Sequence, residues 1–150
     1  MKKFAGYINL KSLNGVLYPS SIQNIMIKDF IQNTLNGIFY LSPTEVLQAK
    51  YPITLRTLIG KETVVDGIIM LSSFYLPKDF KIRSQIYKEA LLKKKILYFI
   101  LDELVLKNKK DIEKIEEFIL FNHKFFTDTR IKLREQEKEI IGKYKNISFV

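Results

Sequence analysis

The sequence predicts an α/β protein, with a mostly parallel sheet of four strands in the middle of three layers and a long C-terminal helix. Two observations support this fold class. Short runs rich in Ile, Val, Leu, Phe and Tyr recur along the chain, as in strands that are buried on both faces. Stretches with apolar residues about 3.6 positions apart separate these runs, and strands that alternate with helices form right-handed βαβ units.

The apolar runs and the helical stretches can be placed on the chain. The predicted strands are residues 4–10, 37–42, 64–73 and 96–103, and the helices between them are residues 21–35, 53–60 and 81–94. From Lys109 to about Gly142 the pattern predicts one long, charged helix. Its second half has few apolar residues, which fits either a solvated helix or one that pairs with a second copy as a homodimer.

Length and composition restrict the class of protein. The 150 residues fit a single domain, with a core over 4–126 and a helical extension over about 127–146. The absence of cysteine excludes disulfides, thiolate nucleophiles and cysteine-bound metals. No apolar run could span a membrane and no secretion signal is visible, so we expect a cytoplasmic protein. No motif predicts a cofactor or a metal site.

The net charge of +9 raises the question of a nucleic-acid partner. The basic residues are 21 Lys and only 4 Arg, although Arg is the better residue for bidentate contacts with phosphates and bases. Acidic residues are interspersed with them. A basic surface that keeps the protein soluble is therefore favoured over a nucleic-acid interface, which stays an alternative.

Polar residues follow the apolar runs at corresponding places, and open parallel sheets bind ligands outside the carboxyl ends of their strands. The first turn of the first predicted helix adds further polar side chains near the same edge. The candidate ligand-binding residues are Asn9, Ser21, Gln23, Asn24, Ser42, Ser72 and Ser73, and Glu45 is the candidate acid or base.

Each candidate also has a purely structural interpretation. Gln23 and Asn24 could orient a ligand beside an anion-binding helix N-terminus, or could simply occupy an exposed first turn. Glu45 could be an acid at the start of a helix, and the serines could be caps. Asp102 and Glu103 end the fourth strand but point to opposite faces. His123 lies on the final helix, which argues against a Ser-His-Asp triad.

Several blocks of sequence resemble a family of small bacterial proteins, the sporadic carbohydrate cluster proteins, encoded among genes for surface-polysaccharide or unusual-sugar biosynthesis. These blocks cover most of residues 4–106, whereas the last forty residues do not take part. The matching blocks are "GYI" (6–8), "YPSSIQNIMIKDF" (18–30), "LSPTE" (41–45), "DGIIMLSSFYLP" (66–77), "IYKEAL" (86–91) and "LDE" (101–103). The resemblance implies a pathway but no particular reaction.

A more distant resemblance is to the catalytic domains of serine recombinases. These also begin with a glycine-tyrosine strand, place a glutamine at the next helix start, and have a leucine-containing turn after the third strand. Here Asn9 stands where that family has an arginine and Lys11 where it has the nucleophilic serine, with Ser12 one place out of register. The resemblance implies a flavodoxin-like or resolvase-like fold and dimerisation through the C-terminal helix, but argues against strand transfer.

Together these observations predict a cytoplasmic protein of bacterial surface-carbohydrate biosynthesis. It would bind or modify a sugar or nucleotide-sugar intermediate at the carboxyl ends of the strands. One alternative is a catalytically inactive recombinase-like module that binds DNA or protein, and another is an assembly partner of a sugar-modifying enzyme. Whether the protein is an enzyme is left open.

Overall fold

The computed structural model describes residues 1–47, 51–60 and 64–144. Strands and helices alternate through the first two thirds of the chain, as the apolar pattern predicts. The strands are β1 (Lys3–Gly6), β2 (Ile38–Phe39), β3 (Gly67–Met70), β4 (Ile96–Phe99) and β5 (Leu104–Leu106). The helices are α1 (Ser20–Asp29), α2 (Ile53–Ile59), α3 (Phe80–Leu92) and α4 (Lys109–Tyr144).

The five strands form one sheet in the order β2-β1-β3-β4-β5. The first four are parallel, which confirms the predicted fold class, and β5 pairs antiparallel with β4. The sequence analysis placed four strands and missed β5. Glu103, with a φ of 54°, lies in the tight turn that folds the end of the fourth apolar run back on itself. A three-residue strand after such a turn has too few residues to show a period.

The regular strands are shorter than the predicted apolar runs, although main-chain bonds between the first two segments continue beyond β1 and β2. Beyond β1 the main chain still follows the segment after β2, through an isolated parallel bridge between Ile8 and Thr44. The predicted helix 21–35 is divided: regular α1 ends at Asp29, and residues Phe30–Thr34 form a π-helical turn.

Helix α1 packs on one face of the sheet. Ile27 of α1 and Ile31 of the π-helical turn share one buried apolar cluster with Phe4 and Ile69 of the central strands and with Ile8, which follows β1. Helices α2 and α3 contact each other, and right-handed crossovers place them on the opposite face. Helices therefore cover both faces of the sheet, and ligands of such open sheets bind at the carboxyl ends of the strands.

Helix α4 contains 36 residues, close to the predicted span, and residues 145–146 of the expected extension lie outside the described residues. The chain divides into two compact units, Met1–Glu116 and Glu117–Val150. The first contains the sheet and α1 to α3, and the second is helical as far as Tyr144. Within the described part of the chain, no helix is both long and apolar enough to cross a membrane.

Candidate functional site

The carboxyl ends of β1 and β3 form the centre of the candidate site. The chain passes from β1 to β2 on one side and then returns to β3 on the other, so the topological switch point lies between β1 and β3. Open α/β sheets bind ligands at such a point. The predicted site residues come from the loops that surround it.

Gln23 is fully buried, and its amide is used entirely by the protein's own main chain. Its Nε2 donates to the carbonyl oxygens of Asn9, at 2.7 Å, and Tyr18, at 2.8 Å. Its Oε1 accepts from the Asn9 N–H at 3.2 Å. The loop after β1 is thereby fastened to the first turn of α1, and no part of this amide is left to orient a ligand.

The side chain of Asn9 is also engaged within the protein. Its Oδ1 accepts from the Lys11 N–H at 3.0 Å, and its Nδ2 donates to the Tyr7 hydroxyl oxygen at 3.2 Å. Burial, and then the nearby Glu45 carboxylate, raise the pKa of Tyr7 well above its usual range. Tyr7 therefore stays a neutral hydroxyl that donates to the Glu45 Oε1 at 3.1 Å.

Glu45 is 7 % exposed and caps α2 from outside the helix. Its Oε2 accepts from the N–H groups of Val46 and Thr54 at 3.0 Å each, and its Oε1 accepts from the Leu55 N–H at 3.4 Å. A carboxylate at a helix N-terminus satisfies otherwise unpaired N–H groups and interacts favourably with the helix dipole. With these bonds and that of Tyr7, the carboxylate serves as a structural anchor rather than facing a ligand.

Ser72 and Ser73 follow β3 and are tied to the end of β4. Ser72 Oγ donates to the Asp102 Oδ1 at 2.8 Å, and both Oγ and N–H of Ser73 donate to its Oδ2 at 2.6 Å. Burial raises the pKa of Asp102, although the bonds from the serines act against that shift. The two serines are 4 % and 1 % exposed, so their hydroxyls are not placed to contact a ligand.

Three cations gather where the loops after β1 and β3 meet. Lys11 Nζ donates to the Leu76 carbonyl at 3.0 Å. Burial, and then the positive charges of Lys78 and Arg83, lower the pKa of Lys11 to about 8. The Arg83 guanidinium bonds both oxygens of Glu116, at 2.8 and 2.7 Å, and is neutralised there. Among the described residues, no carboxylate is paired with Lys11 or Lys78, so their positive charge is uncompensated.

The remaining candidates, Ser21, Asn24 and Ser42, line an open cleft of about 390 Å³ on the β2 side of β1. Asn24 Oδ1 and Ser42 Oγ are buried, and neither has a hydrogen-bond partner within the described residues. The other lining residues are Ile8, Ser20, Phe39 and Thr44. This cleft is where the structure leaves polar side chains available.

The structure thus separates the eight predicted residues into two groups. Ser21, Asn24 and Ser42 share the cleft, whereas the other five bond the protein itself. The sequence analysis missed the cation group because Lys11 and Lys78 are two of many lysines, with no spacing to distinguish them. The described residues contain no cluster of three or more His, Asp or Glu side chains that could hold a metal ion.

Comparisons with known proteins identify the fold. The N-terminal catalytic domain of TP901-1 integrase matches with a TM-score of 0.61 and 11% sequence identity, over 86% of this chain and 99% of that one. A resolvase family site-specific recombinase from Streptococcus pneumoniae matches with a TM-score of 0.59 and 9% identity, over 93% and 99%. The fold is therefore resolvase-like, as the more distant resemblance implied.

No family model matches the chain, and no curated protein matches it either. The resemblance to the sporadic carbohydrate cluster proteins, and with it the role in carbohydrate synthesis and the sugar partner, stays a prediction from the sequence.

Proposed function

We propose that the protein is a recombinase-fold module that binds the phosphate backbone of DNA at the carboxyl edge of its sheet and does not cut it. The observation that carries this proposal is the proximity of Lys11 and Lys78, which come from the loops after β1 and β3 and have no carboxylate partner among the described residues. The resolvase-like fold supports it, since site-specific recombinases act on DNA.

The electrostatics of Lys11 favour an anionic partner. Its pKa of about 8 reflects burial and the repulsion of two neighbouring cations. A phosphate group placed beside Lys11 would stabilise the ammonium form, because an opposite charge within a few ångströms favours ionisation. The Arg83 side chain holds the carbonyl oxygens of Pro77 and Lys78 at 3.1 and 2.7 Å, which fixes the main chain that carries Lys78.

The same residues argue against strand transfer. In the distant resemblance to serine recombinases, Lys11 stands where that family has its nucleophilic serine and Asn9 where it has an arginine. The buried hydroxyls of Ser72 and Ser73 donate to Asp102 and are closed to a substrate. Binding without cleavage is therefore the function that we assign to this edge.

The proposal is tested by the fluorescence anisotropy of a labelled duplex DNA at several salt concentrations. We expect affinity to fall steeply with added salt, and Lys11→Met and Lys78→Met each to weaken binding by several-fold. Lys88→Met is the matched control, because Lys88 is an exposed lysine of α3 outside this group. An equal loss in all three variants would assign the binding to net charge alone and contradict the proposed site.

The protonation of Lys11 gives a second, more specific readout. Wild-type affinity should fall as pH rises through about 8, because the Lys11 ammonium loses its proton there. Lys11→Arg should remove this dependence, since arginine stays charged throughout. DNA that does not bind at low salt and neutral pH would overturn the proposal, and pull-downs would then test the protein-binding alternative.

A further inference from the structure

The cleft between α1 and the segment after β2 brings together two side chains, Asn24 and Ser42, that each have a buried oxygen without a hydrogen-bond partner among the described residues. These atoms are Asn24 Oδ1 and Ser42 Oγ. Buried polar atoms are nearly always bonded, because an unpaired one loses its bonds to water without replacement. Both atoms belong to residues that line one open cleft, so a ligand bound in this cleft is the candidate source of the missing bonds.

We infer that this cleft binds a small polyol that carries one anionic group, such as a sugar phosphate. The side chains that line it are neutral: hydroxyls, one amide and two apolar groups. Asn24 Oδ1 needs a donor and Ser42 Oγ can donate or accept, so ligand hydroxyls suit both. A volume of about 390 Å³ is near the lower end of the range for ligand pockets, which fits a ligand of this size.

The anionic group is assigned to the N-terminal end of the cleft. Helix α1 begins there at Ser20, and its N-cap residue, Pro19, provides no side-chain acceptor for the first N–H groups. These groups and the helix dipole favour a negative charge.

The position of Ser42 Oγ depends on Gly6. A Cβ atom added to Gly6 would lie 2.2 Å from Ser42 Oγ and 2.9 Å from Ile27 Cγ2. Only glycine therefore lets the serine hydroxyl approach β1 at this point. A side chain inserted here would displace the hydroxyl, which makes the floor of the cleft sensitive to the smallest substitution.

The test is titration of the 15N-labelled protein with glucose 1-phosphate, followed by NMR at the side-chain amide of Asn24. Glucose and inorganic phosphate are titrated separately to measure each half of the ligand. We expect glucose 1-phosphate to shift the Asn24 signals and to bind about tenfold more tightly than either half, because each half satisfies only part of the cleft.

Two variants examine the same atoms. Ser42→Ala and the nearly isosteric Asn24→Leu should each weaken glucose 1-phosphate binding about tenfold. Neither should lower the thermal midpoint of the free protein, since each removes an unpaired polar atom. Asn33→Ala, an exposed asparagine in the π-helical turn that follows α1, is the control and should bind like the wild type.

Two results would overturn the inference. Asn24 signals that do not move with millimolar glucose 1-phosphate would show that the cleft takes no such ligand. Inorganic phosphate that binds as tightly as glucose 1-phosphate would show that the hydroxyls contribute nothing. DNA affinity is measured in the same variants and should stay unchanged, so this inference and the proposed DNA-binding function can fail separately.

Discussion

Gln23 bonds both main-chain hydrogen-bonding groups of Asn9: its Nε2 donates to the Asn9 carbonyl and its Oε1 accepts from the Asn9 N–H. A buried side-chain amide here replaces the neighbouring strand that would otherwise pair with this residue. The loop after β1 therefore keeps its conformation although it leaves the sheet, and Lys11 is held beside Leu76.

Gln23→Ala should destabilise the protein severely. It would remove three bonds, to the N–H and carbonyl of Asn9 and to the carbonyl of Tyr18, and a typical hydrogen bond contributes about 0.5–1.5 kcal/mol. We expect the free energy of unfolding to fall by about 3 kcal/mol or more, measured by urea denaturation. Gln32→Ala changes an exposed glutamine nearby and should have almost no effect. A similar loss in both variants would show that Gln23 has no special role.

Glu45→Ala should lower stability by removing the cap of α2. The N–H groups of Thr54 and Leu55 lose their acceptor, and capping residues contribute about 0.5–2 kcal/mol. Glu113→Ala, at an exposed position on α4, is the control. Urea denaturation measures both. If Glu45→Ala left stability unchanged, the carboxylate would be free for the acid or base role that the sequence suggested.

The Arg83–Glu116 pair should be strongly coupled. The Arg83 guanidinium donates one bond to each oxygen of the Glu116 carboxylate, and both side chains are largely buried. The Tyr87 hydroxyl also donates to Glu116 Oε1, at 2.7 Å. A double-mutant cycle with Arg83→Met and Glu116→Gln should give a coupling energy of about 1–3 kcal/mol.

A second pair of the same kind is the comparison for that cycle. Arg56 and Glu89 lie 2.8 Å apart, but their side chains are 42% and 32% exposed. Exposed pairs contribute about 0–1 kcal/mol. A coupling energy for Arg56–Glu89 that equalled that of Arg83–Glu116 would contradict the importance of burial and of the bidentate geometry.

Lys11 should give the protein a measurable pH dependence of stability. Its pKa is lowered from 10.5 to about 8 on folding, so the folded state binds this proton less tightly than the unfolded state. The free energy of unfolding should therefore decrease as pH falls from about 10.5 to about 8, by no more than about 1.4 kcal/mol per pH unit. Lys11→Met lacks this contribution. Urea denaturation of both proteins across that range checks the difference, and parallel curves would contradict it.

The sequence predicted the layers and the parallel strands because buried strands and amphipathic helices leave strong periodic patterns. It missed β5 because a strand of three residues shows no period, and it did not predict the π-helical turn after Asp29 because an extra residue in one turn leaves the spacing of Ile27 and Ile31 intact. The predicted strands contain the centres of the observed ones but extend several residues beyond their ends.

The sequence analysis named polar residues near the ends of the strands but could not show what each of them bonds. Polar residues at the ends of strands were expected to contact a ligand, yet Gln23 and Glu45 each bond the main chain of another segment. Sequence position does not show which way a side chain points or what it bonds. Asn24 follows Gln23 directly in α1 but lines the cleft instead of bonding the main chain, because successive residues of a helix face different directions.

The outer strands of the sheet are its shortest: β2 has two residues and β5 has three. A long, flat outer strand exposes unpaired N–H and C=O groups to which another chain can add. The three residues of β5 offer little such template, so this edge is poorly suited to extension by another chain. On the opposite edge the main-chain bonds to β1 continue beyond β2 as far as Glu45, so that edge is longer than β2 itself.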